Sequence, residues 1–156
     1  MAQCTVTFVR HGNAVPLAEG GLDYQRPLSE KGQGQAHACR AKLGLPTKEF
    51  DLALVSPTIR AAGTASHILG ESKPQFVTLL ALFTTPGGKD DKIVDAMFRR
   101  LQYKTLFTYL TEASRQEREC LVNFGRRAWS AVRAEIKESG ATSVLVVGHA
   151  VLLPLI

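Results

Sequence analysis

The sequence is short of cysteine, of long apolar runs and of clustered charge, and each shortage closes off a class of protein. Three cysteines, Cys4, Cys39 and Cys120, stand far apart and form no CxxC pair. That odd count and spacing argue against a disulfide framework and point to reduced thiols in a cytoplasm-like compartment. All three fall in strand or helix patterns and are expected to be buried. The four histidines, at 11, 37, 67 and 149, are equally scattered, so no metal-ligand spacing appears and no cofactor is expected. No window reaches the ~18 consecutive apolar residues of a membrane span. The opening MAQCTVTFVRHG lacks the basic segment and small-residue cleavage site of a secretory signal. A phosphate loop of the form GxxxxGK(S/T) is missing too, as are internal repeats and low-complexity linkers.

Charge is present without a block. The net charge is +5, and it is spread: residues 1–88 carry 8 basic and 6 acidic side chains, and residues 89–156 carry 11 and 8. The pairs Arg99-Arg100 and Arg126-Arg127 lie in helical patterns, where a solvated face is the default. With no basic stripe or recognisable module, no nucleic-acid partner is expected. A mild positive balance suits attraction of anionic substrates. What is there is an average globular composition, 156 residues at 45% hydrophobic and 21% charged, expected to form one domain over 1–156.

Strand and helix patterns alternate. Thr5–Val9 is a β-branched run, and residues 29–43 read as a helix capped by Ser29 and stopped by Gly44, although Gly32 and Gly34 interrupt it. Leu52–Val55 is a second strand, closed by Ser56-Pro57; Ser56 reads first as a helix cap and second as a group near a bound phosphate, and Pro57 as part of the first turn of a helix over 58–69 that ends at Gly70. A weaker strand covers Phe76–Leu79, and TTPGGKDD (84–91) is the clearest loop. Helical faces then run through Ile93, Met97, Leu101, Leu106 and Leu110. Residues 114–117 (SRQE) form a capping box that opens a helix to Gly140. Ser143–Val147 is apolar almost throughout, as a strand covered on both faces should be. The expectation is an α/β fold, a mainly parallel sheet with helices on both faces.

In such sheets ligands bind outside the carboxyl ends of the strands. The first strand is followed by Arg10-His11-Gly12-Asn13, the second by Ser56-Pro57 with Arg60 in the next helix, and the last by Gly148-His149. Two histidines and two arginines would thus converge from opposite ends of the chain. Two guanidinium forks can hold the oxygens of a phosphoryl group, and helix N-termini add amide donors. A neutral imidazole is a competent nucleophile at pH 7, and a second, protonated histidine can meet the charge that develops. Together these parts describe phosphoryl transfer through a phosphohistidine. Asn13 reads either as a phosphate contact or as a turn residue.

VRHGNA (9–14), RPLSEKGQGQA (26–36), LVSPTIRAAGTA (54–65) and SVLVVGHA (143–150), in that order, resemble the histidine phosphatase, or phosphoglycerate mutase-like, superfamily. The resemblance implies that His11 is the phosphorylated nucleophile. Arg10, Arg60 and His149 would complete the phosphate pocket, with Gly12 and Asn13 beside it. The RPLSEKG segment is most similar to small SixA-type phosphohistidine phosphatases. One feature departs from the family: in LLALFTTPGGKDD (79–91), Ala81 or a neighbour stands where relatives carry a glutamate as general acid. Asp90 and Asp91 follow, in a stretch expected to be a loop. An imidazole leaving group needs less acid help than an alkoxide, so the gap tilts the substrate towards a phosphohistidine protein.

The resulting expectation is a metal-independent cytoplasmic phosphatase acting on a phosphohistidine protein or a phosphorylated small molecule, without membrane association. Two alternatives stand beside it: a phosphomonoesterase or mutase acting on a small phosphorylated metabolite, and a catalytically impaired relative that binds a phospho-ligand or protein. Family members usually continue past the point where AVLLPLI ends, so a C-terminally shortened form, or a second subunit in a homodimer covering the apolar end, is expected. Residues 89–112 are a candidate lid, hinged at Gly87-Gly88.

Overall fold

Among the described residues, four parallel strands in the order β1-β4-β2-β3 make up the sheet: β1 (Thr5–Arg10), β2 (Leu52–Val55), β3 (Gln75–Thr78) and β4 (Ser143–Gly148). The computed structural model describes residues 3–45, 49–83, 88–101 and 106–155. Thr84–Gly87, which include half of the expected loop and one residue of the expected hinge, fall outside the described residues. Among the described residues, five helices connect and cover the strands: α1 (Glu30–Lys42), α2 (Ile59–Leu69), α3 (Lys89–Arg100), α4 (Leu106–Glu112) and α5 (Arg115–Ser139).

The alternation of side chains along a strand explains the layering. Leu52, Leu54, Val144 and Val146 point to one face, where Val94 and Met97 of α3, Tyr109 of α4 and Leu121 and Phe124 of α5 bury them. Ala53, Val55, Leu145 and Val147 point to the other, against Ala36 of α1 and Ala61, Ala65 and Ile68 of α2. Helices therefore cover both faces, and β2 is buried at all four positions. Because α3 and α4 supply Val94, Met97 and Tyr109 to this core, the described part of 89–112 is a structural layer rather than a free lid.

Local signals hold in detail at several helix ends. The Ser29 hydroxyl accepts from Gly32 N–H, and the Ser114–Glu117 capping box is formed in both directions. Gly140 ends α5 at φ 67, in the left-handed region that favours glycine.

Other expectations need correction. The cap of α2 is Thr58, whose hydroxyl accepts from Ala61 N–H, so neither Ser56 nor Pro57 belongs to the cap or the first turn. Asp90 and Asp91 lie in the first turn of α3, not in a loop; carboxylates are favoured at that positive end of a helix. Cys120 is buried, but Cys39 is only half-buried and Cys4 is exposed, since it precedes β1 at the edge of the sheet. After His149 the chain makes a short 3-10 turn at Leu153–Leu155, with Leu152 buried.

Candidate active site

Parallel register builds the site. Arg10 of β1 lies opposite Gly148 of β4, so His11 and His149 leave adjacent strands side by side. The His11 amide donates to the Gly148 carbonyl at 3.0 Å, and the two imidazole centroids are 5.0 Å apart at an interplanar angle of 65°. On the other side of β4, the Ser56 amide donates to the Val147 carbonyl at 3.0 Å. Three neighbouring strand ends thus feed one place.

The His11 imidazole has a fixed role for each of its nitrogens. His11 Nδ1 is 2.7 Å from the Gly12 carbonyl oxygen, which can only accept, so Nδ1 carries the proton. Nε2 is left with a lone pair, and the Arg60 Nε–H donates to it at 3.2 Å. Burial, with the Arg60 and Arg10 charges, outweighs the Gly12 bond and the Asp23 charge and lowers the His11 pKa to about 4. His11 is therefore neutral at pH 7. His149 Nε2 is 2.7 Å from the Ser56 hydroxyl, which is almost completely buried. Burial first, then the charges of His11, Arg60 and Arg10, hold the His149 pKa well below its ordinary value. The protonated His149 of the sequence reading is thus not favoured here. An added dianion would act in the opposite direction by placing negative charge against both rings.

Arg60 is buried at 5% exposure in the first turn of α2. Its Nη2 forms an ion pair with Asp23 Oδ2 at 2.7 Å, and its Nη1 donates to the Asp23 carbonyl. Asp23 Oδ1 also accepts from Arg26 at 2.9 Å. Burial alone would raise the Asp23 pKa, but the Arg26 and Arg60 contacts prevail and lower it. Arg10 is exposed on the wall of the cleft, and no side-chain hydrogen bond or ion pair engages its guanidinium among the described residues.

The glycine of the RHG stretch is required by close approach. Gly12 is buried, its amide donates to Thr64 Oγ1 at 3.0 Å, and a Cβ there would collide with the Gly32 carbonyl. Asn13 is tied to α1: its side-chain oxygen accepts from the Ser29 hydroxyl at 2.7 Å, and its amide donates to Gln35 Oε1 at 2.8 Å. All six residues singled out from the sequence, Arg10, His11, Gly12, Asn13, Arg60 and His149, line one cleft of about 1170 Å³.

The acid candidates do not reach it. Asp91 is buried against Arg127 of α5, Asp90 is 3.7 Å from the same guanidinium, and neither lines the cleft. Ala81 falls in a 3-10 turn, Leu80–Leu82, whose neighbour Phe83 packs 5.3 Å from the His149 ring. The carboxylates that do line the cleft, Asp23 and Asp95, escaped the sequence reading; Asp95 pairs with Arg99 at 2.8 Å. Thr64 was also missed as a site residue, whereas Ser56, read first as a cap and second as a group near the phosphate, contacts His149. For Thr64 the signal was its spacing of one helical turn from Arg60, whose carbonyl it bonds at 2.8 Å. Among the described residues, no three His, Cys, Asp or Glu side chains cluster to hold a metal ion, and no helix is long and apolar enough to cross a membrane.

A family model for the histidine phosphatase superfamily (branch 1) matches residues 6–156. The chain belongs to that superfamily. Solved structures share its fold at low identity. The protein histidine phosphatase SixA in complex with tungstate is 22% identical, with a TM-score of 0.52 over 96% of this chain and 70% of that one. An alpha-ribazole phosphatase from Shigella flexneri is 18% identical, with a TM-score of 0.60 over 92% and 73%. A phosphoglycerate mutase from Bacillus anthracis is 22% identical, with a TM-score of 0.61 over 99% and 78%. Comparison with curated protein sequences finds no significant match.

Proposed function

We propose that this histidine-phosphatase relative is a phosphatase that works through a phosphohistidine formed on His11. The observation that carries the proposal is the His11 tautomer: Nδ1–H is committed to the Gly12 carbonyl, so the lone pair on Nε2 meets Arg60, with the His149 ring centroid 5.0 Å from that of His11. In the first step Nε2 attacks phosphorus in line and the bond from phosphorus to the leaving group breaks, with its electron pair going to the leaving group. In the second, water attacks the phosphorus, the P–N bond breaks, and inorganic phosphate leaves as His11 is regenerated. Arg10 and Arg60 meet the phosphoryl oxygens, and His149 faces the developing charge once the bound dianion has raised its pKa. Gly12 and Asn13 shape the floor beside them. No metal is assigned a role.

The leaving group sets the substrate class. Asp95 is paired with Arg99 and Asp23 with Arg26 and Arg60, so no unpaired carboxylate faces the cleft among the described residues. General acid catalysis commonly contributes about 10²–10⁴-fold, and an imidazole needs it less than an alkoxide does. A phosphohistidine protein is therefore the preferred substrate. A small phosphorylated metabolite, hydrolysed or isomerised as by the mutases of this fold, is the alternative. A binding protein without turnover is the second reading, because the Arg60 Nε–H covers the very lone pair that must attack. The reduced-cysteine pattern supports a cytoplasmic setting.

The test is a panel of para-nitrophenyl phosphate, a phosphohistidine peptide and 3-phosphoglycerate, with acid-labile phosphate measured on the protein. Wild type is expected to turn over the phosphohistidine peptide best, and His11→Ala to abolish both turnover and labelling. Full activity in His11→Ala overturns the mechanism, and phosphate binding without turnover of any of the three establishes the binding reading.

A further inference from the structure

We infer that Asp23 is an internal competitor for the phosphoryl group: it occupies the terminal fork of Arg60 and must hand that fork over when a phosphoryl ligand enters. The inference rests on the assignment of Arg60 to phosphate binding. A guanidinium offers five N–H donors, and the contacts here use three of them on all three nitrogens. Nη1 donates to the Asp23 carbonyl, Nη2 to Asp23 Oδ2 at 2.7 Å, and Nε to His11 Nε2 at 3.2 Å. Both things the chemistry needs, the bidentate fork and the imidazole lone pair, are therefore engaged with each other through one side chain. A phosphoryl group cannot take up the fork and meet His11 Nε2 while Arg60 holds both partners.

The surroundings provide for the exchange. Asp23 has a second cation, Arg26, on Oδ1 at 2.9 Å, so its carboxylate keeps a partner when it leaves Arg60. Arg26 is itself fixed at the base of the loop, where its Nε donates to the Val15 carbonyl at 2.8 Å and the Val15 amide donates to the Pro27 carbonyl at 3.1 Å. The tip of the same loop turns at Gly20, with φ 72, and closes with a Gly21 to Ala18 bond of 2.9 Å. The base is pinned, and Asp23 lies between it and a glycine turn. A doubly charged phosphoryl group has a stronger claim on the guanidinium than a singly charged carboxylate, so the exchange runs towards the ligand.

The test is calorimetric titration with sodium phosphate of wild type, Asp23→Asn and Arg60→Ala. Asp23→Asn, which removes the charge at constant shape, is expected to bind phosphate about ten- to a hundredfold more tightly, the scale of one charge-assisted hydrogen bond no longer given up. Unchanged or weaker binding overturns the inference and makes Asp23 a group that positions Arg60. Arg60→Ala is the separate check. If it binds phosphate as wild type does, the phosphate assignment itself fails, whatever Asp23→Asn shows. A measurement on wild type alone covers the case of a variant that does not fold. Amide hydrogen exchange over residues 18–26 is expected to quicken on saturation with phosphate, and unchanged or slower exchange overturns the proposal.

Discussion

Two alanine substitutions in α1, two residues apart, are expected to act in opposite directions. Replacing an exposed helical glycine by alanine stabilises by about 1 kcal/mol, because less backbone freedom is lost on folding. At Gly34 a Cβ meets nothing within 4 Å, so Gly34→Ala should realise that gain. At Gly32 the added Cβ would run into the Asn13 carbonyl oxygen, with Asn13 C and N each 2.9 Å away. These are backbone atoms and cannot swing aside, so α1 must lift from the loop that carries His11. Lifting it loosens Ser29 N to Asn13 O at 3.0 Å, Ser29 Oγ to Asn13 Oδ1 at 2.7 Å and Asn13 N to Gln35 Oε1 at 2.8 Å. At about 1 kcal/mol for each bond, the loss is roughly 3 kcal/mol; set against the propensity gain, a net destabilisation of roughly 2 kcal/mol remains. For a chain of this size that corresponds to a melting midpoint lower by about 4–8 °C, against a rise of about 2–4 °C for Gly34→Ala. Thermal denaturation followed by circular dichroism reads both, and turnover of the phosphohistidine peptide should fall only in Gly32→Ala. If Gly32→Ala is as stable as Gly34→Ala, the close approach of loop and helix is refuted.

Acid should weaken the fold through the two site histidines. Both have pKa values lowered by folding, so below about pH 6.5 the unfolded chain binds more protons than the native one, and stability is lost as pH falls from 6.5 towards 4. The slope attributable to His11 approaches about 1.4 kcal/mol per pH unit. Urea denaturation from pH 7 to pH 4.5 should show it, and His11→Ala should flatten it; a slope that is the same in both refutes the assignment. Ser56→Ala removes the hydroxyl that orients His149 and should lower kcat about tenfold, one hydrogen bond's worth, with a melting midpoint lower by about 2–4 °C. An unchanged kcat would show that His149 needs no such support.

The strands and the convergence of Arg10, His11, Arg60 and His149 were legible because they follow from local pattern plus one topological rule. β-branched and apolar runs end in chemistry-bearing residues, and a parallel sheet gathers those ends on one side. What escaped depends on contacts between distant segments. Asp23 sits 37 positions before Arg60 in a single 3-10 turn, Asp23–Gln25, too short to show a periodicity, so nothing in its own surroundings announced that it would take the Arg60 fork. Gly32 read as a flaw in a helix, whereas its lack of a side chain admits the His11 loop. Ser56 and Thr58 flank Pro57, and composition alone could not say which hydroxyl caps α2 and which reaches His149. Asp90 and Asp91 resembled loop residues after two glycines, but a partner on α5, Arg127, makes them the start of a helix.

The strand order has a consequence for how the molecule comes into being. β1 lies at the edge of the sheet and pairs along its length with β4, Thr5 with Ser143 through Arg10 with Gly148. During synthesis, at about 5–20 residues per second, β1 emerges roughly 7–28 s before its partner strand. For that interval the nascent chain carries an extended TVTFVR segment with unpaired backbone groups, a template for pairing with neighbouring chains. α1, β2 and α2 can already have formed while the imidazole of His11 has no His149 beside it. The pairing of His11 with His149 is therefore acquired late, in the same event that closes the strand, and loss of β4 pairing would separate the two rings even where every helix is intact.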